Sequence, residues 1–484
     1  IISLAVNLSF RDLIPSSEKS VEKYGFSVDN ALDHLKIISK KPHYTGSEYH
    51  PVVRDYILNE LNNMGLETEI QNQVVTRFCC VGTNTSNIIG TIKGSGNGKS
   101  LVLLTHYDSR HHASLGASDA GSGVVTILEG VRAFLSKNTV PINDIHLVFT
   151  DSEEIGLLGA QAFVKNHSLV DNIGLVLNFE ARGSGGPSYM LMETNGKNGD
   201  LISEFINAEP GFPAANSLMY SVYKMLPNDT DLTVFREEAD INGFNFAFIG
   251  DHFDYHTSLD SYERLDRNTL IHQADYIMSM LNHFSMINLS KLDSDNDYVY
   301  LNFPFLKMLH YPYSWIFPLL IFSIILYLFI IYFGIGVNKL SIRGVLNGLY
   351  PLIISLFVCL SLTIILWNLI VYLNPDYNDI LHGFTYNGYY YIAAFIFLNL
   401  FCLFSIYYPF FKNSSGLDLT IIPIGFWLII NVLISIYLKG AAYFIIPVNL
   451  VLFSILLIYF SNLKENNKML VWTFFSVPLI YIFA

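Results

Sequence analysis

The sequence predicts an α/β sandwich with a mainly parallel central sheet, followed by an all-α membrane domain of several spans. Three short aliphatic runs, 101–105 (LVLLT), 145–150 (IHLVFT) and 175–179 (LVLNF), alternate with helical patterns. Uninterrupted apolar runs of that length read as strands buried on both faces, the condition of a parallel sheet. The second observation is a sharp division near Pro304. Before it the sequence is mixed and acidic; after it, apolar runs of about 20 residues, long enough to cross a bilayer, follow one another to the end. A lipid bilayer is therefore an expected partner. With a net charge of −13, a nucleic acid is not.

Residues 1–26 read as the end of an N-terminal anchor or signal segment with its linker, because the first ten are apolar but too few to span. The elements of 27–290, the α/β domain, then follow in order. Residues 27–38 carry apolar side chains at helical spacing, and 51–64 form a second helix with Pro51 at its start and Gly65 as its stop. Residues 66–75 alternate like a half-exposed strand, 87–92 resemble another, and 94–98 form a polar turn. Helices 121–134 and 157–164 lie between the three buried strands. Residues 244–249 make a last buried strand, and Asn268 caps the helix that closes the domain. Residues 291–313 are expected as a linker, since Asp293 to Asp297 lack the glycine and terminal glutamate of a calcium loop. The four cysteines, Cys79 beside Cys80 and Cys359 and Cys402 within apolar runs, define neither a disulfide framework nor a zinc module.

Each buried strand stops at residues able to hold a metal ion. The first runs into His106, Tyr107 and Asp108, the second into Asp151, Ser152, Glu153 and Glu154, and the third into Glu180. A loop at 116–123 adds Asp119, and the last strand leads to Asp251, His252 and His256. Ligands of open α/β sheets collect beyond the carboxyl ends of the strands, so these groups reach one edge together. Two zinc ions about 3.5–4 Å apart share a carboxylate and activate water between them, and this inventory suits such a pair. Spacing alone leaves the individual roles open, because a single histidine or carboxylate after a strand is usually a surface or capping residue.

The segments His106-Tyr-Asp108, Ala117-Ser-Asp119-Ala-Gly-Ser-Gly123, Phe149-Thr-Asp-Ser-Glu153-Glu154-Ile-Gly-Leu-Leu-Gly-Ala160, Asn178-Phe-Glu180-Ala-Arg-Gly183 and Tyr255-His256-Thr257, in that order, resemble the M28 family of zinc peptidases. The resemblance covers roughly 27–288, and the apolar tail makes the chain similar to a membrane-bound branch that includes endoplasmic reticulum and vacuolar metallopeptidases. It implies a phosphorylase/hydrolase-like fold, two zinc ions and exopeptidase action on peptides, most simply as an aminopeptidase. By that resemblance His106 and Glu180 serve one ion, Glu154 and His256 the other, and Asp119 bridges them. Glu153 is then the general base, and Asp108 orients the His106 imidazole. Arg182, Asp251 and Tyr255 are candidates for the substrate pocket, whereas His111, His112 and His252 match no ligand position. His43 and Ser47 read as structural. Two departures stand out: Ala120 replaces a second Asp found in many members, and Glu180 stands where many soluble aminopeptidases have Asp. Neither removes a ligand.

The tail, 314–484, reads as about six spans, at 315–333, 345–373, 389–410, 419–438, 441–460 and 470–484. Lys339 and Arg343, then Lys412, then Lys464 and Lys468 fall in alternate loops, while the intervening loops hold Asp376 and Asp379 or only Lys439. By the positive-inside rule the basic loops are cytoplasmic and the peptidase-like domain is extracytoplasmic, in a periplasm, an organelle lumen or outside the cell. No charge sits mid-span in the pattern of a transport path, so the tail reads as an anchor. Two other readings are a glutaminyl-cyclase-like acyltransferase with one zinc and a non-catalytic receptor or subunit of a membrane assembly. The complete ligand set with Glu153 argues against the latter. Protein partners and oligomeric state leave no signal in the sequence.

Overall fold

The structure is a computed structural model that describes residues 7, 9, 11–77, 81–226, 229–303, 306–380, 384–461 and 471. The chain falls into two compact units, one running to Tyr313 and the other beginning at Ser314.

The first unit contains the strands β1 (Glu67–Arg77), β2 (Val81–Ile92), β3 (Ser100–His106), β4 (Ile145–Thr150), β5 (Ile173–Ala181), β6 (Gly185–Glu193) and β7 (Gly243–Gly250). They form one seven-stranded sheet in the order β1-β2-β4-β3-β5-β7-β6. The four central strands β4, β3, β5 and β7 are parallel, while β1, β2 and β6 add antiparallel edges. Besides a single turn at Lys19–Glu22, its α-helices are α1 (Val28–Ile38), α2 (His50–Asn63), α3 (Gly121–Leu135), α4 (Leu158–Asn166), α5 (Gly199–Asn207), α6 (Ser217–Tyr223), α7 (Asp231–Ala239) and α8 (Arg267–Phe284). Strand β3 shows why its sequence has no polar alternation. Leu101 and Leu103 join a core with Val124 and Leu128 of α3 and Ile277 of α8, whereas Val102 and Leu104 join Phe163 of α4 and Phe235 of α7. Both faces are dry, so every position is apolar. Helix α3 lies so close to the sheet that a Cβ at Gly123 would strike the Thr105 hydroxyl and the Phe179 carbonyl. That approach seats the start of α3 against the strands that end in His106 and Glu180.

The structure corrects the sequence reading in four places. The helix that closes the domain is capped by Asp266, whose carboxylate accepts the Asn268 N–H at 2.7 Å, and not by Asn268. The expected strand at 87–92 begins at Val81 and pairs along the whole of β1. Strand β6 and helices α5 to α7 occupy a stretch with no predicted elements. The expected linker at 291–313 holds a hairpin, Tyr298–Phe303 paired with Lys307–Pro312. Its Val299 and Tyr300 are fully buried, and the Tyr300 carbonyl accepts a hydrogen bond from Ser217 at 3.1 Å. Burial against α6, not the local sequence, makes this segment part of the first unit.

Among the described residues of the second unit, five helical stretches are long and apolar enough to cross a membrane: Tyr313–Gly336, Ile342–Leu373, Gly388–Lys412, Gly416–Tyr437 and Lys439–Phe460. Leu320, Ile330, Ile421, Ile424, Val448 and Leu452 form the core among three of them. Two polar groups at that core are paired: Ser323 donates to Asn449 at 2.8 Å, and Tyr327 donates to the Ile421 carbonyl at 3.1 Å. The sixth expected span, apart from Val471, and the loop residues Lys464 and Lys468 lie outside the described residues, as do Cys79 and Cys80.

Candidate metal centre

The carboxyl ends of β3, β4, β5 and β7 each deliver a side chain to one place. His106 is the last residue of β3, Glu180 lies one residue before the end of β5, and Glu153 and Glu154 follow β4 in a tight turn. Ser152 and Leu157, which flank that turn, both have left-handed backbone with φ of 62° and 59°. His256 itself has φ 59° and Asp251 φ 51° in the loop after β7. Strained residues gathered at one spot are a mark of functional sites. The peptide bond between Asp119 and Ala120 is cis.

Two clusters result, and Asp119 belongs to both. His106, Asp119 and Glu180 form one and Asp119, Glu154 and His256 the other, with the potential ligand atoms of each lying within 4.8 Å of one another. In the first, His106 Nδ1 is 2.9 Å from the Asp108 carbonyl and donates to it. In the neutral ring Nε2 then carries the lone pair, yet it faces Asp119 Oδ1 at 3.1 Å and Glu180 Oε2 at 3.7 Å. In the second, His256 Nε2 is 3.3 Å from Asp119 Oδ2 and 3.1 Å from Glu154 Oε2. His256 Nε2, Glu154 Oε1 and Glu180 Oε1 are buried and make no hydrogen bond among the described residues. Imidazole nitrogens and carboxylate oxygens converging in this way fit a cation, and two imidazoles with three carboxylates suit zinc.

Electrostatics agree. Burial opposes charge on Asp119, but the imidazoles of His106 and His256 hold its carboxyl below the usual range. Burial, with the Asp119 carboxylate, pushes Glu154 up to about 7. Burial drives Glu153 well above the usual carboxylate range, against the pull of His106 and with help from Glu180 and Glu154. Burial would lower His106, yet Glu180 and Glu153 raise it well above its ordinary value. So many carboxylates in a dry space demand positive charge.

Asp108 is placed beside His106 but holds it in an unexpected way. Its carbonyl oxygen, not its carboxylate, takes the Nδ1 hydrogen bond, while the carboxylate lies 3.5 Å away. That carboxylate instead accepts the backbone N–H groups of Glu153 at 3.0 Å and Glu154 at 3.3 Å, fixing the turn that carries both. Glu153 is half-buried and belongs to neither cluster. Tyr255 stacks on His256 with ring centroids 3.6 Å apart, and the Arg182 guanidinium lies 5.9 Å from the Tyr255 ring. Asp251 is exposed at the start of the same loop. His43, whose N–H is bonded to Ser109 at 3.0 Å, is a packing residue beside the centre.

The sequence reading missed Asp260 and Arg110. Asp260 is fully buried and accepts the backbone N–H of Ser118 at 2.6 Å and of Asp119 at 3.3 Å. Arg110 donates through Nη1 to the Glu154 carbonyl at 2.6 Å and to its carboxylate at 3.3 Å. The available signals were slight: Asp260 lies four residues beyond His256, and Arg110 two beyond Asp108.

Comparison with known proteins follows the same residues. A Caenorhabditis elegans protein named among the endoplasmic reticulum metallopeptidases is 31% identical over 324 residues, 60% of this chain and 36% of its own length. A vacuolar membrane protease of Candida dubliniensis is 28% identical over 286 residues, 56% of this chain and 29% of its own length. The chain thus spans about a third of the length of the curated relatives it matches. Among solved structures, a zinc-dependent exopeptidase from Parabacteroides distasonis is 20% identical with TM-score 0.43, covering 53% of this chain and 98% of that one. A glutaminyl cyclase from Porphyromonas gingivalis is 19% identical with TM-score 0.44, covering 53% and 97%. The profile of peptidase family M28 matches residues 87–281, which include both clusters and Glu153. The chain carries a domain of peptidase family M28.

Proposed function

We propose that this chain is a membrane-anchored, two-zinc exopeptidase, acting as an aminopeptidase, with its catalytic domain on the extracytoplasmic side. One observation carries the reading: two clusters of ligating atoms share Asp119 and hold buried atoms without hydrogen-bond partners. Bound there, a pair of zinc ions would polarise a scissile carbonyl and lower the pKa of a water. Glu153, half-buried and outside both clusters, takes a proton from the attacking water and returns it to the leaving amine. Asp108 keeps Glu153 in place through its backbone N–H. Tyr255 and Arg182, layered on His256, and the exposed Asp251 line the approach of the peptide.

The test joins metal analysis to a peptide panel. Zinc near two per chain and release of amino acids from peptides with free, but not blocked, amino termini are the expected results. Ammonia from peptides beginning with Gln, with no amino acid released from any peptide, overturns the reading in favour of a cyclase. For sidedness, a cysteine at Asn378 should react with an impermeant thiol reagent applied from the side of the first unit, and one at Ser341 should not. The alternation of Lys339 and Arg343 against Asp376 and Asp379 supports that orientation. Labelling of the opposite sidedness inverts it.

A further inference from the structure

Arg110 is a cation bonded to one of the residues that would hold a cation. Its Nη1 donates to the carbonyl of Glu154 at 2.6 Å and approaches carboxylate oxygen Oε2 at 3.3 Å. Oε2 is also the oxygen that faces His256 Nε2 at 3.1 Å. One of the two carboxylate oxygens at the second cluster is therefore already engaged by a guanidinium, while Oε1 makes no hydrogen bond among the described residues. The Glu154 side chain is 3% exposed and that of Arg110 40%, so a buried carboxylate is paired with a partly exposed guanidinium. A divalent ion arriving at Glu154 shares its charge with Arg110 and is repelled by it.

The first cluster is arranged differently. Glu180 Oε2 faces His106, and its only hydrogen bond among the described residues is from the Ala181 backbone N–H at 3.3 Å. Arg182, whose field reaches Glu180, donates to the Asp229 carbonyl and lies over the Tyr255 ring. The His106 side chain is 1% exposed, against 28% for His256. His106 also sits in regular strand backbone, whereas His256 adopts φ 59° in a loop.

We propose that Arg110 competes with metal for Glu154, so that the centre fills in order: the His106–Asp119–Glu180 half first and tightly, the Asp119–Glu154–His256 half second and more weakly. The proposal rests on the two-ion reading above. Arg110 thereby sets the zinc concentration at which the second ion enters. It is a positioning residue, acting through Glu154.

Zinc titration of the metal-free full chain in detergent, against a competing chelator, tests this without an activity readout. The wild type should bind in two steps, and Arg110→Gln should tighten the second by about 10–100-fold, the usual reach of groups that contact a ligand, while leaving the first unchanged. Arg110→Lys, which keeps the charge, should leave the second step weak. If Arg110 only braced the turn, Arg110→Gln would weaken the second step instead, and that result overturns the proposal. Two steps of equal affinity in the wild type overturn it and leave the two-ion reading standing. One ion in both wild type and Arg110→Gln overturns both. In the wild-type background, independently of how Arg110→Gln folds, His256→Ala should remove only the weak step and His106→Ala the tight one; the reverse assignment overturns the proposed order.

Discussion

His106 and Glu180 stand at the ends of β3 and β5, neighbouring parallel strands paired through Leu104 and Asn178, whereas Glu154 and His256 stand on turns beyond β4 and β7. The ladder positions the first pair directly. The second pair lies outside any ladder, and buried aspartates take over that work. Asp108 accepts the N–H groups of Glu153 and Glu154. Asp254, fully buried, accepts Ser184 Oγ and, at 2.7 Å, Arg264 Nε, and so pins the loop of His256. Asp260 does the same for Asp119, the residue common to both halves. Charge-assisted hydrogen bonds of this kind are about twice as strong as neutral ones, which lets a turn approach the order of a strand. Rigidity at this centre thus comes from the sheet on one side and from buried carboxylates on the other.

Removing the residue that the two halves share does the most damage. Asp119→Ala should take zinc from near two per chain to none and abolish peptide hydrolysis, because each half loses one of its three ligands. Metal analysis of the purified variant decides this, and two retained ions would show that Asp119 bridges nothing. Glu153→Gln should leave both ions bound and lower kcat by about 10²–10⁴-fold, the range of general acid–base catalysis. Glu154→Ala, one residue away, should empty only its own half. If Glu153→Gln loses metal and Glu154→Ala keeps it, the two glutamates exchange roles.

The same division explains what could be read from the sequence. The central strands announce themselves because burial on both faces enforces uninterrupted runs such as Leu101 to Leu104, and their ends announce His106 and Glu180. The buried aspartates that hold the turns are silent. Asp260 acts on Asp119 across 141 positions, and nothing in its neighbours distinguishes it from a surface carboxylate. Strand β6 was illegible for another reason: it opens Gly-Gly-Pro-Ser and has only a short apolar run, Tyr189 to Met192, as suits an edge. Helix α7 has a low apolar contrast and is marked chiefly by a capping box between Thr230 and Thr233. The hairpin at Tyr298–Pro312 is rich in aromatic and aliphatic residues without a clean alternation, and beside an acidic run and a membrane-length apolar tail it reads as a tether. Periodicity reports what an element buries, and it is mute about side chains that act on a distant backbone.

Acid acts on the fold separately from the centre, and a single histidine reports the difference. His272 is fully buried in α8, away from both clusters, and its tautomer is fixed: the Ser188 N–H donates to Nδ1 at 3.1 Å, and Nε2–H donates to the Phe212 carbonyl at 2.6 Å. Burial pushes it down to about 4, only partly offset by the Phe212 carbonyl. The folded chain therefore holds this ring neutral while the unfolded chain, with an ordinary value near 6.5, binds a proton between those limits. More protons on the unfolded state means that stability rises with pH there, so this contribution is complete above about pH 6.5 and is lost as pH falls toward 4. One histidine with that shift accounts for at most about 3 kcal/mol across the window. His272→Gln should be less stable than the wild type at neutral pH but lose less stability between pH 6.5 and 4.5, read from denaturation midpoints of the full chain in detergent. His106 and His256 answer to carboxylates and metal, so zinc content should follow a separate pH profile in the same samples. An unchanged stability slope in His272→Gln would place the acid sensitivity of the fold elsewhere, first at His146, which burial also pushes down to about 4.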